Sequence, residues 1–135
     1  MRVPALMAVA LAFGLLGIAP AQAQSFDGVY KGTMRMTEDI ILMSSRQPCT
    51  PVGTVLPVEF RVTGSTVTVK TQSGSFSGTV SSDGRFSIVT AHRGAAGGAR
   101  GSREWKGTIT GARIEGAYQL QGPGAICRAV FSAKK

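Results

Sequence analysis

A period-two alternation of apolar and polar residues constrains the fold of this chain more than any other feature. Between residues 26 and 36, aromatic, Gly and Met residues occupy every second position, with mainly charged or β-branched residues between them. The alternation returns over residues 58–70, 76–90, 105–120 and 127–133. Successive strand residues point to opposite faces, so the pattern predicts β-strands that each bury one face.

Glycine-containing turns separate these segments at Gly64, Asp83-Gly84 and Gly111. Sequential hairpins of this kind predict an antiparallel meander of seven to eight strands in an all-β domain. Because each strand has one apolar face and no helix is expected to cover it, the sheet must close or fold over. Gly residues at core-facing strand positions, such as Gly32, Gly78 and Gly107, favour strong bending. We therefore expect an up-and-down β-barrel rather than a sandwich.

Three segments break the alternation. Residues 37–43 fit either a short helical turn capped near Thr37 or a strand buried on both faces. Residues 44–57 contain Pro48, Pro51 and Pro57, which indicates an irregular connection. Residues 92–103 are rich in Gly, which predicts a flexible loop.

The N-terminal segment has the three parts of a secretory signal peptide. Arg2 precedes an uncharged run over residues 5–18, and small residues follow up to Ala23. The run is at the short end for a spanning helix, and no basic cluster follows it. We expect cleavage after Ala23, a single domain over residues 24–135 without a transmembrane segment, and a soluble periplasmic or extracellular protein.

Two cysteines, Cys49 and Cys127, are the only ones in the chain. An even pair in an exported protein is most simply a disulfide. A zinc site would need further ligands, and His92 is the only histidine, so we expect no bound metal.

Few residues of the sequence could form a catalytic constellation. His92 has no acidic partner at a suggestive spacing, and the Gly-rich residues 94–101 lack the Lys-Ser/Thr ending of a phosphate-binding loop. We therefore expect no enzymatic activity and no cofactor.

The charge balance points to anionic partners. Without the leader, the chain has 14 Lys and Arg against 7 Asp and Glu, a net charge of +7. A candidate basic surface lies in and beside the long loop. It is formed by Arg93, Arg100, Arg103 and Lys106. A basic surface attracts polyanions, and an exported protein meets envelope lipids and polysaccharides more often than nucleic acid. We expect an exported binding protein whose partner is an anionic envelope component or another exported protein, and we expect no nucleic acid.

The aromatic residues on the core face support an alternative, a small-ligand carrier. Tyr30, Trp105 and Tyr118 would line an interior pocket, since small barrels either fill with side chains or hold one ligand. The motifs Gly28-Val-Tyr-Lys-Gly32, Trp105-Lys-Gly107 and Gly116-Ala-Tyr118 resemble those of small lipocalin-like and avidin-like barrels. This resemblance implies architecture alone.

Overall fold

The structure, a computed structural model, describes residues 25–41, 49–93, 100–122 and 124–135. The side chains of residues 92, 93 and 100 lie outside the description, as does the predicted signal peptide. Within the described ranges there is no helix, and eight strands form a closed antiparallel barrel: β1 Gly28–Ile41, β2 Val55–Thr63, β3 Thr66–Thr71, β4 Gly74–Val80, β5 Arg85–Arg93, β6 Arg100–Thr110, β7 Arg113–Gln121 and β8 Ala125–Lys134. The predicted all-β barrel is confirmed.

The barrel has up-and-down topology, because each strand pairs with the next one in sequence. β1, at 14 residues, closes it by pairing with β2 from Gly28 to Arg35 and with β8 from Lys31 to Ile41. Its two ends differ. The end that we call the base carries the β2–β3, β4–β5 and β6–β7 turns, whereas the mouth carries the other four connections.

The segment of ambiguous periodicity, residues 37–43, is a strand as far as Ile41, where β1 ends. Its register with β8 shifts between Met36 and Glu38, so Thr37 is the extra residue of a β-bulge and both Thr37 and Glu38 are exposed. The helical alternative is therefore wrong over residues 37–41. The strand is not buried on both faces either, since Ile41 is 45% exposed. Residues 42 and 43 lie outside the described ranges.

The predicted turns lie where expected. At the β4–β5 turn, Gly84 has a φ of 87°, which favours glycine, and an added Cβ would also meet the Ile109 carbonyl. The Asp83 carboxylate accepts hydrogen bonds from the Ser81 hydroxyl and the Arg85 backbone N–H, and these bonds lower the pKa of Asp83. The predicted loop over residues 92–103 is shorter than expected, because β5 reaches Arg93 and β6 starts at Arg100. Residues 94–99 lie outside the description.

Phenylalanine rings fill the middle of the barrel. Phe60, Phe86 and Phe131 lie 5.0–6.2 Å apart between ring centroids. Gly107 provides space for one of them, because a Cβ there would lie 2.7 Å from the Phe86 ring and 2.7 Å from the Glu115 carbonyl oxygen. The core-facing glycines thus allow both close strand approach and ring packing, as their positions in the sequence predicted.

The predicted disulfide is present. Cys127 lies on β8 with its Cα 5.5 Å from that of Cys49, which precedes β2 in an irregular segment. Both cysteines are buried. Because β8 reaches the mouth at its N-terminal end, the bridge fastens the β1–β2 connection there. Among the described residues, no helix has the length and apolar character to cross a membrane.

Candidate functional site

A cavity of about 230 Å³ lies at the mouth, where the filled interior ends. We call it the mouth cavity, and its described lining consists of Met34, Thr50, Leu56, Pro57, Thr71, Gln72, Ser73, Arg103, Trp105 and Tyr118. Its walls come from β1, β2, β6 and β7, from the end of β3 with the β3–β4 turn, and from Thr50 in the segment before β2. The lining combines apolar side chains with hydroxyl, amide and guanidinium groups and contains no carboxylate among the described residues. Such a composition suits a site that binds one small molecule.

Trp105 forms the floor of this cavity. Its indole stacks on the ring of Phe76, with centroids 4.9 Å apart and 26° between the planes. The ring of Tyr118, opposite Trp105 in the β6–β7 register, lies 4.9 Å away. The indole is only 1% exposed, and its orientation is fixed from two sides.

Arg103 points into the barrel. It lies two residues before Trp105 on β6, so both side chains face the interior. Its guanidinium carbon lies 5.4 Å from the centroid of the Phe76 ring, within the range of a cation–π contact. β4 and β5 pair only near the base, at Thr79–Ser87 and Val80–Phe86. Phe76 therefore has no paired residue on β5, and its contact with Arg103 connects β4 to β6 at this level.

Three buried polar atoms near the cavity have no hydrogen-bond partner among the described residues. They are the Trp105 Nε1, the Arg103 Nε and the Oγ1 of Thr90, which lies opposite Arg103 in the β5–β6 register. Leaving a buried donor unpaired costs about 1–3 kcal/mol each. Groups of this kind are commonly satisfied by water or by a ligand.

The cavity also perturbs Tyr118. Burial raises the pKa of Tyr118 above its ordinary value of 10.0, and the charge and hydrogen bond of Arg103 oppose that rise. Arg103 and Tyr118 both line the mouth cavity, where the positive charge of Arg103 favours negative charge on the phenol oxygen. An anion bound at the same place would gain from the same interaction.

The predicted interior pocket is only partly assembled. Trp105 and Tyr118 share the mouth cavity, but Tyr30 is fully buried at the base, where its hydroxyl donates a 2.7 Å hydrogen bond to the Phe26 carbonyl. The Lys135 ammonium lies 5.6 Å from the Tyr30 ring centroid on that side. Tyr30 therefore closes the base and does not line the cavity.

The predicted basic surface is divided between the two faces of the barrel wall. Lys106 lies on the outer face and forms a 3.1 Å ion pair with Glu104, whereas Arg103 faces the interior. Arg93 and Arg100 are directly opposite each other in the β5–β6 backbone register. Arg103 and Lys106 were grouped because they are near in sequence, but strand residues three apart point to opposite faces.

Arg103 is the cavity residue whose inward position was missed by the sequence prediction. The signal was present, since the alternation that puts Trp105 inside also puts Arg103 inside. The inward positions of Met34 and Leu56 can likewise be predicted from the alternation along β1 and β2. The contribution of the β3–β4 turn depends on how the barrel closes, which the sequence pattern does not specify.

Another groove is larger, but its described lining has no buried polar group that a ligand would satisfy. It measures about 640 Å³ and lies along β4 to β7, with the exposed side chains of Arg85, Lys106 and Glu115 on its walls. None of its described lining residues has a buried side-chain donor without a partner. Among the residues that the structure describes, no group of three or more His, Cys, Asp or Glu side chains could hold a metal ion.

No protein-family model matches this chain, and no curated protein has a significant sequence match to it.

Proposed function

We propose that this chain is an exported, non-enzymatic binding protein that holds a small ligand in the mouth cavity. The observation that carries the proposal is the indole N–H of Trp105, which is buried in the wall of a cavity and has no acceptor among the described residues. A ligand with an acceptor atom would satisfy it. Export is proposed from the N-terminal leader and from the Cys49–Cys127 disulfide.

The location favours a bound ligand over a structural void. The mouth of a β-barrel is a frequent position for ligand sites, and the interior below this cavity is already filled by aromatic rings. Its volume of about 230 Å³ corresponds to about eight water molecules at roughly 30 Å³ each. That is the size of a single substituted ring. Binding is favoured over catalysis because the described lining contains no His, Cys or carboxylate side chain.

Trp105 provides the assay, because it is the only tryptophan in the chain. Titration with small aromatic and short aliphatic carboxylates, and with their primary amides, should change its fluorescence saturably, with a Kd below about 1 mM for the best probe. Leu56→Phe adds volume to the cavity wall and should abolish the change. Val55→Phe is the matched control, since Val55 is 55% exposed on the outer face and should leave binding intact. No saturable change with any probe, or equal loss in both variants, would contradict the proposal.

A second candidate function is binding of an anionic envelope component through the outer surface. It is favoured by the backbone register of β5 and β6, which pairs the positions of Arg93 and Arg100 at the mouth ends of the two strands. Binding to anionic liposomes and to lipopolysaccharide should then weaken steeply with salt and after substitution of both arginines by Ala. The electrostatic hypothesis fails if neither salt nor the double substitution changes binding.

A further inference from the structure

The Arg103 guanidinium introduces a positive charge into a cavity whose described walls hold no negative one. None of the described ion pairs involves Arg103. Four other basic residues each pair with a carboxylate on the outer surface: Arg85, Lys106, Arg113 and Arg128. Arg103 is half-buried, and its Nε has no hydrogen-bond partner among the described residues. A counter-charge would stabilise a cation in such surroundings, because partial burial removes some of the water that would otherwise solvate it.

The donors near Arg103 all suit the same ligand group. Trp105 Nε1 is a donor only, and the guanidinium is a donor only, so both require acceptor atoms. Thr90 lies opposite Arg103 in the β5–β6 register, and its hydroxyl can donate as well. A group with two acceptor oxygens and one negative charge would satisfy the guanidinium and the indole together. A carboxylate has this geometry, and it matches the planar fork of arginine.

The remaining walls define the body of the ligand. Met34, Leu56 and Pro57 present apolar surface, and the faces of Trp105 and Tyr118 are aromatic. Since the cavity is small and holds one described cation, it suits a single negative charge on a compact apolar body. We propose that the mouth cavity binds small monocarboxylates with an apolar ring or short chain, anchored by Arg103. This inference rests on the proposed ligand-binding function and specifies the class of ligand.

The test uses matched pairs of a carboxylate and its primary amide, such as benzoate and benzamide, which have nearly the same shape and differ in charge. In the wild-type protein the carboxylate should bind about ten- to a hundredfold more tightly than the amide, the range expected for a hydrogen-bonded charged group. Calorimetry and Trp105 fluorescence both report this ratio. Equal affinities for acid and amide would overturn the assignment of the anion while leaving the proposed cavity function intact. If neither member of any pair binds, both proposals fail.

The role of Arg103 is tested with two charge-matched variants. Arg103→Gln should reduce the carboxylate-to-amide ratio to about one while retaining amide binding. Lys106→Gln removes the same charge from the same strand on the outer face and should leave the ratio unchanged. A preference that persists in the Arg103 variant, or that falls equally in both, would overturn Arg103 as the anchor. The wild-type comparison of acid and amide decides the ligand class even if the Arg103 variant does not fold.

Discussion

Reducing the Cys49–Cys127 disulfide should lower the free energy of unfolding of the barrel by about 4.5 kcal/mol. The bridge joins residues 78 apart, and in the chain-entropy model a closed loop of that length restricts the unfolded chain by about this amount at 25 °C. Small domains have total stabilities of about 5–15 kcal/mol, so the loss removes a large share. The bridge acts mainly on the unfolded state, and the strands themselves should remain in place.

Urea denaturation of the oxidised and the reduced wild-type protein measures this contribution, because both forms retain the same side chains. The Cys49→Ala/Cys127→Ala variant adds a further loss from the missing sulfur atoms, since both cysteines are buried. Mass spectrometry establishes the redox state before each experiment. A difference below about 1 kcal/mol between the oxidised and reduced forms would refute the loop-closure reasoning.

Two further predictions concern the interior. Gly107→Ala should destabilise the barrel by about 1–3 kcal/mol in urea denaturation, because the added methyl group would lie 2.7 Å from the Phe86 ring. In a Tyr30→Phe background, which leaves Tyr118 as the only tyrosine, Arg103→Gln should raise the pKa of Tyr118 further in an alkaline ultraviolet titration, since it removes the opposing charge. The stability that the buried phenol contributes is present below pH 10 and is lost as the pH rises through the pKa of the folded state.

Controls are available for both. Gly122→Ala places its new Cβ 3.9 Å from the nearest described atom, so it should have little effect, and equal losses in the two glycine variants would contradict the packing argument. Lys106→Gln should leave the pKa of Tyr118 unchanged. A pKa that is unchanged or lower in the Arg103 variant would contradict the action of the guanidinium on the phenol.

Most of the barrel could be predicted from the sequence, because strand alternation and turn glycines are local signals. The bulge at Thr37 could not, since an extra residue reverses the alternation and makes a strand look like an uncertain segment. The position of Tyr30 at the base of the barrel could not be predicted either. Its inward phase is visible in the sequence, but its level in the barrel depends on the shear between β1 and its neighbours.

The candidate site shows how sequence proximity misleads on a strand. Arg103 and Lys106 are both basic and only three residues apart, yet the pleat sends one into the cavity and the other to the outer face. The sequence does not predict that the Trp105 indole lacks a hydrogen-bond acceptor among the described residues, because this depends on which acceptors the closed barrel brings within reach.

The proposed function requires a ligand to supply the acceptor for the Trp105 indole N–H. Since Trp105 is the only tryptophan, its indole gives one resonance in a ¹⁵N–¹H correlation spectrum. On addition of benzoate or another small monocarboxylate, that resonance should move saturably in the wild type and in Val55→Phe and should stay fixed in Leu56→Phe. An indole resonance that moves with none of the probes, or that moves equally in Leu56→Phe, would contradict ligand binding in the mouth cavity.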